Sequence, residues 1–550
     1  MFQLNLKRLA LVGIVATATL GLAGCGAEDN LEVELDDGII QGQMSGDARF
    51  FVKIPYAKPP VGDLRWKAPE PNDPWAPAIR NEQDFSDSCP QLADQGAPAS
   101  NNEDCLYLNV WAPDIDGDAA DLKAPVMVWI HGGGNFSGGA GIPIPMVSND
   151  LWYDGQYFAA NQGVVMVSLN YRLGPLGFYA HPDLAEENQP TGNQGLLDQR
   201  MALAWIQKNI GKFGGDPDNV TIFGESAGAA NVCYHMASPG SHGLFHRAIS
   251  QSGGCTIRVS GKEATIQDVA SSMTAYGEAV GCAAGANQLE CMRNVSVDDL
   301  LANGNQPSPG DADTGFIEGD WSFGAVIDGA DGFMPDTARA IFKRGDIARV
   351  PYLLGTNTDE STTLLWRGTS LESDAEYRTD LQARFGDSFE DVYAMYPPSE
   401  YEEDYDLARE NVVTDSGLLC GTHDTARLAA EAGLDVFMYN FNVPWALLPS
   451  VLKAAHAAEM SHVFGKPFSW PWPISKKSTT ERSQAVADAM NTYWATFAKT
   501  GNPNGDNDPA IWPQFYSNDD RRLQLDSDWN VLENYRTDKC AFWREYHGVE

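Results

Sequence analysis

The sequence predicts an α/β domain in which helices cover a large, mainly parallel sheet, with a small hairpin region near the N-terminal end. The first observation is a set of continuous apolar runs, which are typical of strands buried on both faces. These runs lie at 126–130, 164–167, 220–223, 350–354 and 436–441. An amphipathic segment at 201–210 predicts a helix between two strands, and a turn signal at 36–38 predicts the hairpin. Such alternation of strand and helix favours a parallel sheet covered by helices.

Residues 1–24 have the pattern of an export signal. Lys7 and Arg8 precede an uncharged apolar run at 9–22. As a helix this run would be about 21 Å long, whereas a bilayer core needs roughly 30 Å. A basic start followed by a short apolar run is typical of a secretory signal, which is removed from the mature protein.

The end of that segment, Leu22–Cys25, resembles the lipobox of bacterial lipoproteins. The resemblance implies cleavage before Cys25 and more than one acyl chain on that residue, which suffices for stable membrane anchoring. Because Gly26 is not the aspartate associated with inner-membrane retention, we expect the outer membrane, on either face. Residues 25–30 then form a short tether before a domain at 31–550. The alternative is an ordinary signal peptide with a stray cysteine.

The composition excludes some classes of function. The 550 residues include 75 Asp and Glu against 37 Lys and Arg, a formal net charge of −38. Nucleic-acid binding needs a basic surface, so we exclude it. Of nine cysteines, eight remain beside Cys25, and export permits them to pair. No spacing of Cys and His is typical of zinc, so we expect no metal and no cofactor. The sequence leaves the oligomeric state open.

The strongest chemical motif is the segment Gly224–Gly228, with Ser226 at its centre. It follows the strand-like run at 220–223 and precedes a helix-compatible run at 229–236. That context is the one that a nucleophile elbow requires, because the turn between strand and helix exposes the serine. We therefore predict Ser226 as a nucleophile at the end of a central strand.

A second motif, His131–Gly134, follows the predicted strand at 126–130. Glycines in such a loop let backbone N–H groups converge where a tetrahedral intermediate carries its negative charge. We expect Gly133 and Gly134 to supply two donors of this oxyanion hole, with Ala227 as the third. The loop lacks the Lys-Ser/Thr pair that a phosphate-binding P-loop needs.

The base and the acid follow the nucleophile in the chain order of α/β-hydrolases, which is serine, acid, histidine. Four histidines lie late enough in the chain: His423, His456, His462 and His547. The position after the strand at 436–441 favours His456. Glu360 lies in the loop after the strand at 350–354, and from composition alone Asp359 is an equal competitor for the acid.

Several further segments together resemble the type-B carboxylesterase family, which includes the cholinesterases, over about 30–543. Besides the serine motif, these segments are Ile54–Ala57, Glu103–Val110, Asn170–Phe178, Leu197–Arg200, Phe213–Pro217, Gly355–Glu360 and His456–Gly465. The resemblance implies an α/β-hydrolase fold, with Ser226 as nucleophile, His456 as base and Glu360 as acid. It also implies the oxyanion hole named above, and roles beside the triad for Glu225 and Ser252.

The resemblance further implies covalent and ionic cross-links. The implied disulfides are Cys89–Cys105, Cys282–Cys291 and Cys420–Cys540, which would leave Cys233 and Cys255 free. The implied ion pairs are Arg65–Glu103 and Arg172–Asp198.

Departures from the family pattern limit the choice of substrate. The loop at 90–104 contains no aromatic residue, and neither do the four residues after Glu360. A quaternary ammonium group needs an aromatic face, so we do not expect choline esters as substrates. Trp321 and Phe323 resemble residues of an acyl-pocket loop. The sequence therefore predicts a serine carboxylic-ester hydrolase for small to medium esters. The alternatives are a lipase or polyester hydrolase, and a non-catalytic binding protein on the same fold.

Overall fold

The computed structural model describes residues 31–549 apart from short gaps, which are 94–96, 116, 144–150, 188–190, 258–263, 305–322, 366–369, 446–448, 467–476 and 507. The predicted signal, the lipid anchor at Cys25 and the acyl-pocket residue Trp321 lie outside the described residues. In the described part of the chain, no helix is long and apolar enough to cross a membrane. The anchor at Cys25 stays a prediction.

The strands of the described residues form one large and one small sheet. They are β1 (Glu32–Leu35), β2 (Gly38–Gln41), β3 (Gln43–Ser45), β4 (Ala48–Pro55), β5 (Ile79–Arg80), β6 (Tyr107–Pro113), β7 (Ala124–Ile130), β8 (Val165–Leu169), β9 (Gly215–Glu225), β10 (Arg247–Gln251), β11 (Tyr352–Asn357), β12 (Val436–Phe441), β13 (Gln514–Phe515), β14 (Arg521–Leu525) and β15 (Val531–Glu533).

The helices lie mostly between these strands. They are α1 (Gln156–Gln162), α2 (Gly174–Gly177), α3 (Pro182–Glu186), α4 (Gln194–Asn209), α5 (Ala227–Ala237), α6 (Ile266–Ala279), α7 (Gln288–Arg293), α8 (Val297–Gly304), α9 (Ala338–Arg344), α10 (Ser361–Leu364), α11 (Asp374–Phe385), α12 (Phe389–Met395), α13 (Tyr405–Thr414), α14 (Cys420–Glu431), α15 (Pro449–Leu452), α16 (Met460–Val463), α17 (Lys477–Thr500) and α18 (Thr537–Tyr546).

The large sheet has 12 strands in the order β15-β14-β12-β11-β10-β9-β7-β8-β6-β4-β3, with β13 beside β12. Every pairing from β14 across to β8 is parallel, and the strands at both edges are antiparallel. The small sheet joins the β1–β2 hairpin to β5. These features confirm the predicted mainly parallel sheet and the N-terminal hairpin. Parallel strands end at one edge, so the loops after β7, β9, β11 and β12 come together there.

The core explains why the central strands are apolar without interruption. Along β7, Val126, Val128 and Ile130 pack in a cluster on one face, and Met127 and Trp129 pack in a second cluster on the other. Helices α4, α5 and α14 contribute to the first cluster, while α1 and α17 contribute to the second. Because both faces are covered, alternate residues of a strand are equally buried, which removes the polar alternation seen in half-exposed strands.

Four disulfides cross-link the described residues, one more than expected. The three implied pairs are confirmed: Cys89–Cys105, Cys282–Cys291 and Cys420–Cys540. The expectation that Cys233 and Cys255 are free is wrong, because they form a disulfide with a Cα–Cα distance of 5.7 Å. Cys233 lies on α5, and Cys255 follows β10 by four residues. Since α5 packs against β10, the two thiols meet although 22 positions separate them in the sequence.

The two implied ion pairs are also present. Arg65 and Glu103 approach to 2.6 Å, and Arg172 and Asp198 to 2.7 Å. In the second pair, two guanidinium nitrogens of Arg172 donate to separate oxygens of Asp198, which is fully buried. This bidentate geometry ties the segment before α2 to helix α4.

Candidate active site

Ser226 is the single residue between the end of β9 and the start of α5. Its backbone has φ 57° and ψ −124°, a conformation that L-residues rarely adopt and that costs about 1–3 kcal/mol. Two hydrogen bonds hold it there: the N–H of Ser226 donates to the carbonyl of Gln251 at 2.9 Å, and its carbonyl accepts from the N–H of Ala230 at 3.0 Å. The strained turn confirms the strand-turn-helix context that the motif predicts.

The flanking glycine Gly228 is required by close packing. A Cβ atom added there would lie 2.1 Å from the carbonyl oxygen of Ile130, the last residue of β7. The missing side chain therefore lets α5 start directly against the neighbouring strand. This contact places the loop after β7 beside the elbow.

The glycine loop lies against Ser226. A Cβ added to Gly132 would be 3.1 Å from Cβ of Ser226, so the two backbones are close neighbours. The N–H groups of Gly133, Gly134 and Ala227 form no backbone hydrogen bond in the described part of the chain. Ala227 is also the first residue of α5, where N–H groups have no partner within the helix. Three unused donors thus lie at the positions expected for an oxyanion hole.

Glu360, rather than Asp359, contacts the candidate base. Nδ1 of His456 lies 2.7 Å from Oε2 of Glu360. The other carboxylate oxygen accepts from the N–H of Asn357 at 2.7 Å, and the side chain is fully buried. Asp359 instead accepts weakly from the N–H of Ala454, at 3.3 Å. The ring is thereby held through Nδ1, and a carboxylate can only accept, so Nδ1 carries the hydrogen.

The second ring nitrogen lies at the elbow but faces Glu225. Nε2 of His456 is 3.2 Å from Oε1 of Glu225. Within the described residues, Ser226 Oγ forms no hydrogen bond with the ring, which differs from the expected contact between serine and histidine. Glu225 immediately precedes Ser226, so the nitrogen is still at the turn that carries the serine. The hydrogen bond between a catalytic serine and its base is often long without substrate and shortens when substrate binds.

Three buried carboxylates surround the ring of His456 and set its charge. Burial alone would lower the pKa of His456, but the charges of Glu225, Glu360 and Glu459 outweigh burial and raise the pKa. Burial, together with the like charges of Glu459 and Glu360, raises the pKa of Glu225 against the opposing effect of His456. Burial and the charge of Glu360 likewise raise the pKa of Glu459. The site therefore favours positive charge on the imidazole, which is the charge that a general base acquires.

Glu459 is a residue to which the sequence analysis gave no role. Its carboxylate is fully buried and accepts from the side chains of Gln251, at 3.2 Å, and Asn357, at 2.7 Å. Gln251 in turn accepts from the indole N–H of Trp494 at 3.0 Å. Its position three residues after His456 was the available signal, because a short turn returns such a residue toward the same site.

The other candidate histidines have structural partners. His423 lies on α14 and contacts Asp520 at 3.0 Å. His462 contacts Ser483 at 2.8 Å, and the ring of His547 lies edge-on to Tyr546 and tilted against Trp543. Of the four candidate histidines, His456, which its place in the chain favours, is therefore the one that contacts Glu360.

The remaining predicted residues lie near the site or within the core. Ser252 is buried directly after β10, and its N–H donates to the carbonyl of Gly355, but its hydroxyl has no partner among the described residues. Its side chain therefore makes no hydrogen bond to the triad among the described residues, and its role beside the triad stays a prediction. Phe323 is buried edge-on against Tyr276, with ring centroids 5.1 Å apart, and its acyl-pocket role stays a prediction. No group of potential metal ligands occurs among the described residues.

Comparisons with known proteins agree with this geometry. A family model described as the carboxylesterase family matches residues 29–543. A cholinesterase of Mus musculus is 32% identical over 543 aligned residues, covering 92% of this chain and 84% of the relative. An acetylcholinesterase of Danio rerio is 32% identical, covering 90% of this chain and 84% of the relative.

Proposed function

The chain belongs to the carboxylesterase family and is a carboxylic ester hydrolase, and we propose that it works through Ser226, His456 and Glu360. The observation that carries the proposal is the 2.7 Å contact between Nδ1 of His456 and Glu360, with Nε2 directed at the turn that carries Ser226. No other histidine of the described residues combines a buried carboxylate on one nitrogen with the elbow on the other.

In the proposed mechanism, His456 turns Ser226 into a nucleophile. A serine hydroxyl is a weak nucleophile until a base takes its proton. Nε2 takes that proton while Oγ attacks the carbonyl carbon of the ester. The alcohol then leaves with the proton from Nε2, and an acyl group remains on Ser226. Water, activated by the same nitrogen, releases the acid and restores the serine.

Glu360 and the glycine loop stabilise the charges that develop. The Glu360 carboxylate keeps hydrogen on Nδ1, so that Nε2 is free to accept, and it stabilises the imidazolium that forms. The negative oxygen of the tetrahedral intermediate would accept from the N–H groups of Gly133, Gly134 and Ala227. One such donor contributes about 3 kcal/mol to lowering the barrier.

We further propose uncharged esters of small to medium size as substrates. The relatives named above are cholinesterases, but the loop at 90–104 of this chain has no aromatic residue. A choline group would therefore lack the ring face that stabilises a quaternary ammonium there. An ester whose alcohol carries no charge does not need an aromatic ring at this position in order to bind.

A fluorophosphonate probe tests the proposed function directly. The purified protein is expected to hydrolyse p-nitrophenyl acetate. The probe should stop hydrolysis while its phosphonyl group, with loss of fluoride, becomes attached to the peptide that contains Ser226. Hydrolysis that continues after complete labelling, or a label on another residue, would contradict the proposal. Rates on p-nitrophenyl butyrate, butyrylthiocholine and a long-chain ester then test the substrate class, with the first expected to be fastest.

The pH dependence of kcat/KM should show the effect of the Glu225 carboxylate on the pKa of His456. His456 must be uncharged to accept a proton, so kcat/KM should rise as pH increases through the pKa of His456. Replacing Glu225 by glutamine removes a negative charge that raises this pKa. We expect the midpoint of the acid limb in Glu225→Gln to move to lower pH by about one unit or more.

The control is Glu225→Asp, which keeps a carboxylate at the same turn and should move the midpoint less. Glu360 and Glu459 face the same ring in both variants, so their effects cancel in the comparison. An unchanged midpoint in Glu225→Gln, measured from kcat/KM over a full pH series, would show that Glu225 does not act on the base.

A further inference from the structure

We propose that His131 is a positioning residue that sets the direction of the Gly133 N–H group, and through it one donor of the oxyanion hole. The inference rests on the proposed function, because it concerns how that hole is held in shape. His131 is fully buried at the end of β7, and it is not one of the residues that touch the reacting atoms.

The side chain of His131 contacts the backbone of the next residue. Nδ1 lies 2.9 Å from the carbonyl oxygen of Gly132. A carbonyl oxygen can only accept, so Nδ1 carries the hydrogen and donates it. Among the described residues, no backbone N–H donates to this carbonyl. The direction of the Gly132 carbonyl therefore depends on one side chain.

The planarity of the peptide bond transmits this direction. The carbonyl of Gly132 and the N–H of Gly133 belong to one trans peptide unit, in which they point in opposite directions. Holding the oxygen toward Nδ1 consequently holds the N–H on the opposite side of the chain. Glycine at 132 and 133 leaves the adjoining dihedrals soft, so this unit would otherwise rotate at little cost.

The peptide units of the two other proposed donors are each held by backbone hydrogen bonds, to which the Ser137 hydroxyl adds a longer one, 3.4 Å, at the Gly133 carbonyl. The N–H of Gly134 shares its peptide unit with the Gly133 carbonyl, which accepts from the N–H groups of Phe136 at 3.0 Å and Ser137 at 2.9 Å. The N–H of Ala227 shares its unit with the Ser226 carbonyl, which accepts from Ala230. All three units are thus fixed on the carbonyl side, and among the described residues only the first lacks a backbone donor and depends on a side chain for its hydrogen bond.

Packing holds the ring of His131 in place, and burial keeps the ring uncharged. Its ring stacks on Tyr171, with centroids 4.4 Å apart and planes inclined by 23°. A Cβ added to Gly138 would be 2.4 Å from Nδ1, so the loop closes tightly over the ring. Burial lowers the pKa of His131 to about 4, so the ring stays neutral over the pH range in which a neutral His456 can act as base.

The main test is His131→Phe, which keeps the stacked ring and removes the donor. Active sites are counted by fluorophosphonate titration, so that kcat refers only to folded enzyme. We expect kcat to fall by about 10- to 100-fold, with KM nearly unchanged. A trifluoromethyl ketone, to which Ser226 Oγ adds while His456 takes the serine proton, forms a hemiketal whose negative oxygen lies in the hole. Its binding should weaken by a similar factor, which a general loss of stability would not produce.

Tyr171→Phe is the matched control. It removes the hydroxyl that donates to the His131 carbonyl at 2.7 Å, within the same stacked pair. That carbonyl shares its peptide unit with the N–H of Gly132, which is not a proposed donor. The control should therefore lose much less kcat per site than His131→Phe. Equal losses in the two variants would overturn the inference.

A second pair covers the case in which His131→Phe does not fold. His131→Asn and His131→Leu have similar shapes, but only asparagine can donate to the Gly132 carbonyl. We expect higher kcat and tighter ketone binding for asparagine, and equal values would overturn the inference. If the wild-type protein is not labelled at Ser226, the proposed function itself fails. Labelled wild type with unaffected His131 variants refutes the positioning role alone.

Discussion

The Ser226→Ala variant is expected to lose turnover of p-nitrophenyl acetate by about five to six orders of magnitude. Removing a nucleophile that works as one unit with its base costs about as much as removing the whole triad. Binding and the unused N–H groups of the glycine loop remain, so a small rate above that of water should survive. The measurement is single-turnover and steady-state hydrolysis on protein freed of wild-type enzyme.

Ser252→Ala is a suitable comparison for this variant. Ser252 also follows a central strand with a positive φ, 54°, and its hydroxyl also lacks a partner among the described residues. Since it does not touch the reacting atoms, its variant should retain readily measurable turnover. The assignment of Ser226 would be wrong if the two variants lost similar activity, or if Ser226→Ala still reacted with a fluorophosphonate.

Glu360→Gln should have the second largest effect, a fall in kcat of about four orders of magnitude. The amide can donate to Nδ1 of His456, which forces the ring hydrogen onto Nε2 and removes the base. It also removes the charge that stabilises the imidazolium. The fold should change little, because Glu360 and glutamine have nearly the same shape, and thermal unfolding measures this directly.

Asp359→Asn provides the neighbouring control. Asp359 lies one residue away in the same loop, but its carboxylate contacts the N–H of Ala454 instead of the ring. Its variant is expected to keep most of the activity. If Asp359→Asn were inactive and Glu360→Gln active, the acid would be assigned to the wrong residue.

The sheet was predictable because both of its faces are covered. Residues such as Trp129 and Val128 are buried on opposite faces, so each central strand is a continuous apolar run in the sequence. Edge elements carry a weaker signal: β13 and β15 are two and three residues long and were not predicted. Short strands such as these are defined by their neighbours rather than by their own composition.

The candidate site was predictable where local geometry demands particular residues. Ser226 needs the glycine at 228 because α5 begins against β7, and this requirement is visible as a motif. The choice between Asp359 and Glu360 was open, because two adjacent acids in one loop differ only in the direction of their side chains. That direction depends on the N–H of Asn357 and on packing that brings in a segment about 100 residues away.

Contacts between distant segments were the least predictable. The contact of Nε2 with Glu225 and the buried carboxylate of Glu459 arise because two loops meet over the end of the sheet. The Cys233–Cys255 disulfide depends in the same way on the packing of α5 against β10. Neither spacing nor composition encodes such distances, and the implied pattern of three disulfides pointed away from the fourth.

That fourth disulfide joins the two segments that support the nucleophile from either side. One segment is α5, in which the N–H of Ala230 donates to the Ser226 carbonyl. The other is the loop after β10, a strand whose last residue, Gln251, has the carbonyl that accepts from the N–H of Ser226. The redox state of the compartment in which the chain folds therefore affects the two segments that hold the backbone of Ser226. Recombinant synthesis in a reducing cytosol would leave the Cys233–Cys255 disulfide unformed, whereas secretion before folding would allow it to form.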